Sequence, residues 1–426
     1  MSKLAILGGD PVLNTPLVRY NSIGSEEIEA VNRVMRSGFL SGFYGSWADE
    51  FFGGPMVQSF EGAWARRFGS KHAVSVNSAT SGLYAAMGAI GIEPGDEVIV
   101  PPLTMSATVM APLIYGGIPV FVDLEPDTFC LDPKLVRQHI TPKTKAILVV
   151  NLFGHPAALA ELKALADEKG IKLIEDNAQA PLATENGRFA GTIGHIGVFS
   201  LNYHKHIHTG EGGVCLTDDD DLAFRLQLIR NHAEACVERA GVQNIVNMVG
   251  FNFRMTEICA AIGLEQLKKA DYHIGRRERL AEQLNEGTKD LEGLIPPFPR
   301  EGCRHVYYMW QMRFDPELIG VSRETFARAL ETEGFPNFLG YLPPLYLLPL
   351  FHKRIAIGSQ GFPFNQSDRV YEKGLCPVAE RMHEIELIGF DVCGFKVSEP
   401  ETELLIEAVR KVHKHRDELK KLEERK

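Results

Sequence analysis

Phe199-Ser200-Leu201-Asn202-Tyr203-His204-Lys205-His206-Ile207-His208-Thr209-Gly210-Glu211-Gly212-Gly213 sets one lysine five residues after a serine and five before a Gly-Glu-Gly-Gly turn. A lysine held among turns and hydroxyls can form a Schiff base with an aldehyde cofactor. Most lysines are solvated surface charges, so the stretch alone decides little. A second cluster upstream, Ile174-Glu175-Asp176-Asn177-Ala178-Gln179-Ala180, puts an acid at the end of an apolar run, 29 positions before Lys205. A charge closing a buried strand is costly without a partner, and a pyridinium nitrogen supplies one.

Outward from these two clusters, short apolar runs alternate with helical patterns between about residues 70 and 220. The runs are His72–Val76, Glu97–Val100, Val120–Val122, Ala146–Leu152, Lys172–Ile174, Gly197–Leu201 and Gly213–Thr217. Continuous apolar strands separated by helices predict an α/β fold with a mainly parallel seven-stranded sheet buried on both faces. Ligands of such sheets bind beyond the carboxyl ends of the strands. Two more loops lie at such ends. Asn77-Ser78-Ala79-Thr80-Ser81-Gly82 precedes a helix whose first amides suit a phosphate, although a hydroxyl-rich helix start is ordinarily a cap. Pro102-Leu103-Thr104-Met105-Ser106-Ala107-Thr108 follows the next strand.

Residues 1–60 read as an N-terminal arm and helix, with an aromatic loop from Phe39 to Gly54. Residues 61–290 form the large unit, closed by a long helix or joined pair between Thr256 and Leu291, and Pro296, Pro297 and Pro299 mark its end. Residues 291–426 read as a smaller C-terminal α+β domain, with a strand-like His305–Phe314 and two closing helices.

Composition removes several function classes. The 426-residue chain carries a net charge of −10 and no basic patch interleaved with aromatics, so no nucleic-acid surface is expected. No apolar run is long enough to cross a membrane, and the N-terminal apolar run is too short for a secretory signal, which gives a cytoplasmic reading. Seven cysteines are scattered without CxxC spacing, so no disulfide framework or structural zinc site is expected. His204, His206 and His208 would share one face if the segment were a strand, which raises a metal site as an alternative to the lysine reading.

Taken together, the motifs resemble the fold-type I, pyridoxal-phosphate-dependent sugar aminotransferases of the DegT/StrS type. The matching residues are Asn77-Ser78-Ala79-Thr80-Ser81, Gly95-Asp96-Glu97-Val98-Ile99-Val100-Pro101, Glu175–Ala180, Phe199-Ser200 with Lys205 and Thr209–Gly213, and Gly250-Phe251-Asn252-Phe253-Arg254-Met255-Thr256-Glu257. The resemblance implies that pyridoxal 5'-phosphate is the cofactor, with no metal. Lys205 would carry it and act as the base, Asp176 would keep the pyridine nitrogen protonated, and Gln179 would hydrogen-bond the ring oxygen. Ala79, Thr80 and Ser200 would hold the phosphate. Asn252 would reach the phosphate of the neighbouring subunit, making a homodimer with active sites at the subunit interface. Met105 stands where the family places an aromatic or histidine over the ring, and Ala79 replaces its usual glycine.

The implied reaction moves an amino group from glutamate or glutamine to a keto sugar attached to a nucleotide. A keto-cyclitol acceptor is a rival, because Leu7-Gly8-Gly9-Asp10-Pro11-Val12 matches the start of that branch. A sugar dehydratase using the same cofactor is a further alternative, in which histidine replaces the lysine. The acceptor would be set by loop residues near Tyr44, Trp47, His232, Tyr341 and Tyr346.

Overall fold

The computed structural model describes residues 3–424. Seven strands form its main sheet: β1 (His72–Val76), β2 (Glu97–Val100), β3 (Ile118–Phe121), β4 (Thr144–Val150), β5 (Lys172–Asp176), β6 (Ile196–Ser200) and β7 (Gly213–Thr217). Their order across the sheet is β1-β7-β6-β5-β4-β2-β3. All neighbours are parallel except β7, which runs antiparallel to both β1 and β6. The strands are rich in Val, Ile and Leu, and β2, β3, β6 and β7 are buried along their whole length. That is the pattern of a sheet covered on both faces.

Helices follow where the sequence supplies caps. α1 (Ser25–Ser37) starts from Gly24, whose amide is held by Glu27. α2 (Pro55–Phe68) begins with proline at its first position, where a missing N–H costs nothing. α3 (Ala79–Ala89) is capped by the Ser78 hydroxyl, which accepts from the Ser81 amide. α4 (Ser106–Leu113) follows β2. The pattern from Thr256 onward resolves as one helix, Glu257–Thr288, with the Thr256 hydroxyl as its cap. The Asp218–Asp221 run behaves as a cap too, since Asp219 accepts from the amides of Asp221 and Leu222.

Among the described residues two large hydrophobic cores are present, beside a small cluster of Ala30, Val34 and Ala261. The larger surrounds the seven-stranded sheet, and the smaller gathers Trp310, Phe314, Phe326, Phe390 and Val409 around a four-stranded sheet. The long helix joins them, with Ala260 in the first and Leu284 in the second. Leu4, Leu13 and Leu17 also belong to the smaller core, so the first residues of the chain pack on its last part. Two backbone amides, Ala5 and Val12, donate to the Glu333 carboxylate, which also pairs with Lys411 (2.8 Å). The segment from Ala5 to Val12 is therefore a clasp on the C-terminal unit.

One expected element is shorter than its pattern. The strand predicted from His305 begins only at Trp310. Residues 305–309 turn instead, with Tyr307 at φ 47°, because they dock against a tight turn at Phe153–Gly154.

Candidate active site

The phosphate end is built from the sheet outward. Gly213 starts β7 and sits between Ser200 on β6 and Val76 on β1. A side-chain carbon at Gly213 would lie 2.7 Å from the Ala79 amide nitrogen, so only glycine lets the strand pass beneath the start of α3. The amides of Ala79 and Thr80 open that helix and have no preceding carbonyl to bond. Together with the helix dipole they attract an anion. Ala79 is helical here and its Cβ is accommodated, so the glycine-dependent room is made at Gly213. The Ser200 hydroxyl accepts from the Asn202 amide (3.2 Å) and keeps its own proton to donate.

Asp176 closes β5 and is 4% exposed. Its carboxylate has two donors, the Thr108 hydroxyl (2.8 Å) and the Ala178 amide (3.1 Å). Burial pushes its carboxyl above the ordinary range, against the pull of those two groups and of the Lys205 charge. A cation placed against it would reverse that shift. The Gln179 oxygen accepts from the Phe153 amide (2.7 Å), which turns its NH2 group outward. One of those protons goes to the Tyr341 hydroxyl (3.1 Å), leaving the other free.

Lys205 is half-buried in a turn held by its own amide on the Asn202 carbonyl (2.9 Å). Its amine makes no hydrogen bond among the described residues and lies 4.1 Å from the centre of the Tyr308 ring. Burial lowers its pKa to about 8, opposed first by Asp176 and then by Cys393 and Asp391. Asp176 and Lys205 therefore sense each other without forming an ion pair. The flanking histidines have other surroundings. His204 is exposed and stacks on Tyr203, whereas His206 is fully buried with Nε2 on the Val306 carbonyl (2.8 Å). The segment is a turn, so the strand-face arrangement of three histidines does not form.

The remaining expected residues are placed differently. Met105 precedes α4 and is 57% exposed, one helical turn before Thr108, so it lies on the same side as the Asp176 contact. Asn252 is exposed, with its side-chain oxygen held by Arg254 (2.8 Å) and its carbonyl by the Asn77 side chain (3.3 Å). In the aromatic loop, Phe51 is fully buried and Trp47 packs on Phe51, Phe52 and Phe224, while Tyr44 is exposed. Tyr346 does not face the site. It is buried and its hydroxyl donates to Glu380. Gly213 and Tyr308 differ in how plainly the sequence shows them. The Gly-Glu-Gly-Gly run carries a signal for the glycine, and nothing in the spacing marks the tyrosine.

The residues fit pyridoxal phosphate: a buried carboxylate short of donors for a ring nitrogen, an unpaired amine for an aldehyde carbon, and open amides for a phosphate. Comparison with known proteins agrees. The sequence model of the DegT/DnrJ/EryC1/StrS aminotransferase family matches residues 21–386. An L-glutamine:2-deoxy-scyllo-inosose aminotransferase from Streptoalloteichus tenebrarius is 34% identical over 436 residues, covering 98% of this chain and 99% of its own. GDP-perosamine synthase from Caulobacter vibrioides is 37% identical over 297 residues, 70% of this chain and 78% of its own. Among solved structures, S. venezuelae DesV in complex with a ketimine intermediate superposes with a TM-score of 0.79 at 30% identity, covering 94% of this chain and 99% of that one. The chain belongs to the DegT/DnrJ/EryC1/StrS family and is a pyridoxal-phosphate-dependent aminotransferase of fold type I.

Proposed function

We propose that the enzyme transfers an amino group from glutamate or glutamine to the keto carbon of a nucleotide-linked sugar, with Lys205 and Asp176 as its catalytic residues. The observation that carries this reading is the pair itself, an unbonded lysine amine facing a buried, under-donated carboxylate at the sheet's carboxyl edge. The bound cofactor supplies an electron sink for the carbanion formed at the substrate carbon. Lys205, whose pKa burial lowers to about 8 so that about a tenth of it is neutral at pH 7, takes and returns the proton at that carbon. Asp176 holds a proton on the ring nitrogen, fixed in place by Thr108 and Ala178. Gln179 directs its free amide proton at the ring oxygen, and Ala79, Thr80 and Ser200 bind the phosphate. Met105 would contact the ring, and Asn252 would serve the partner subunit's phosphate in a homodimer. A cytosolic setting accords with seven free cysteines, and no helix among the described residues is long and apolar enough to cross a membrane.

Dehydration is the weaker alternative, because the residue facing Asp176 is lysine, with neither flanking histidine turned toward it. A keto-cyclitol acceptor is a second reading, supported by the full-length likeness to the inosose aminotransferase. The Leu7–Val12 segment that matches the start of that branch docks on Glu333 through the Val12 amide. The test mixes purified enzyme with glutamate or glutamine and follows conversion of the cofactor spectrum, then adds keto sugars or inososes. Equimolar keto acid and aminated product are expected, and ammonia release would defeat transamination. A nucleoside diphosphate alone should compete with a nucleotide-linked acceptor, and absence of competition would favour the cyclitol.

A further inference from the structure

Behind the lysine, two distant parts of the chain are locked together. Phe153 and Gly154 follow β4 with φ of 57° and 100°. A side-chain carbon at Gly154 would lie 2.8 Å from the Tyr307 nitrogen and 2.9 Å from that of Tyr308, so glycine allows the contact. The Val306 amide donates to the Gly154 carbonyl (3.0 Å), and the Tyr308 amide to that of Phe153 (2.7 Å). The same Phe153 gives its amide to Gln179, and its ring meets Tyr341 edge-on at 5.0 Å. His206, the residue after Lys205, bonds the Val306 carbonyl from the other side. Residues 306–308 thus grip the lysine turn at His206 and present the Tyr308 ring to the amine at 4.1 Å.

We propose that Tyr308 is a positioning residue for Lys205: its ring face holds the amine in its charged form between proton transfers and aims it at the substrate carbon. The inference rests on Lys205 being the catalytic base. An ammonium over a tyrosine face is attracted by the ring quadrupole, most strongly where water is excluded. Tyr308 is 7% exposed, and no hydrogen bond to the amine competes with this contact. The other groups facing the amine are Asp176 on β5 and Cys393 and Asp391 in the turn after Phe390, with His206 adjacent and Tyr203 across the Tyr308 ring. The carboxylates favour the charged amine without fixing its direction, because neither bonds it. The ring supplies the direction.

The test separates ring from hydroxyl and charge from fold. The full chain, freed of cofactor, is labelled with acetic anhydride across a pH series, and acetylation of the Lys205 peptide is followed by mass spectrometry. Replacing the ring with Tyr308→Leu should lower the labelling midpoint by about half to one pH unit. Tyr308→Phe should hold it within about 0.3 unit of wild type, because the ring face remains. In the loaded enzyme Tyr308→Leu should lower kcat about tenfold and leave the acceptor KM within about twofold. If Tyr308→Leu loses its folded dichroism, Tyr308→Met carries the same comparison. An unchanged or raised midpoint on loss of the ring overturns the proposal, as does an effect confined to KM. A Lys205→Ala variant that kept the cofactor's visible absorbance would instead remove the reading on which the inference rests.

Discussion

The two acids that end β5 are neighbours in sequence and opposites in surroundings. Glu175 points to the back of the sheet, where the amides of Gly191 (2.5 Å), Ile193 (2.8 Å) and Gly194 (2.6 Å) and the Asn151 side chain (3.3 Å) donate to it. Asp176, one residue on and therefore on the other face, has one hydroxyl and one amide. Burial raises both carboxyls, yet only Asp176 also faces a lysine. Donor count separates the roles: a saturated buried carboxylate ties loops together, and an unsaturated one waits for a ligand. The back of the strand should therefore govern stability and the front should govern turnover.

The front is broken most severely at Lys205. Its amine makes no hydrogen bond among the described residues and contacts only the Tyr308 ring face, so Lys205→Ala should leave the thermal midpoint within about 2 °C of wild type. Turnover should fall about 10⁴-fold or more, and the visible absorbance of the lysine-linked cofactor should vanish. Calorimetry and a spectrum of the same sample check both halves. A large loss of stability would show that the lysine belongs to the scaffold.

The sharper comparison exchanges each acid for its amide. Asp176→Asn cannot keep the ring nitrogen protonated, so kcat should drop about 10²- to 10³-fold with the thermal midpoint unchanged or higher, since a buried charge is removed. Glu175→Gln turns an NH2 group toward three backbone donors. The cost is about 2–4 kcal/mol, or about 4–8 °C, with kcat of the folded enzyme within about twofold of wild type. A stable but inactive Glu175→Gln would end the distinction.

Sequence reading reached the front of the sheet because its parts are local. Each of Ser78, Asp176 and Lys205 closely follows an apolar run, and strand direction alone brings them to one edge. Glu175 stands beside Asp176 with nothing in the sequence to mark its role, since its backbone donors come from 191–194, a loop without a pattern of its own. Tyr308 was hidden for a related reason. The alternation from His305 to Phe314 imitates a strand, and the contact with Gly154 that bends it spans more than 150 positions. The arm was legible as an arm, while its docking through Glu333 depends on a partner over 300 residues away. Tyr346 shows its burial only in the fold, because aromatic loops near a site look alike in sequence.

A milder test changes pH and leaves the sequence intact. Lys205 is lowered from its ordinary 10.5 to about 8, so the folded chain sheds this proton before the unfolded chain does. Between those values the unfolded state binds more protons, and the lysine's contribution makes the cofactor-free protein more stable as pH rises. Only the neutral amine attacks an aldehyde, so cofactor capture should quicken about tenfold per unit below about pH 8 and level off above it. Stopped-flow absorbance gives the midpoint. One near that of an exposed lysine would place the amine in water and remove it from the front of the strand.

The smallest effect is expected at Met105, where the front meets solvent. A thioether against an aromatic ring contributes about 0.3–1.5 kcal/mol, and a stacked aromatic pair about 0.5–1.5 kcal/mol, so the two nearly match. Met105→Phe should therefore tighten the cofactor by no more than about fivefold, measured as the dissociation constant of the Lys205→Ala enzyme so that covalent capture does not mask it. Stability should hold, because the side chain is 57% exposed and supports no core. The size of the change locates the ring. Tightening means that residue 105 lies over the face of a ring whose nitrogen is at Asp176, since Thr108 on the next turn of α4 fixes that carboxylate. No change in affinity would put the methionine at the rim, and the front of the strand would then bind the ring from its edges alone.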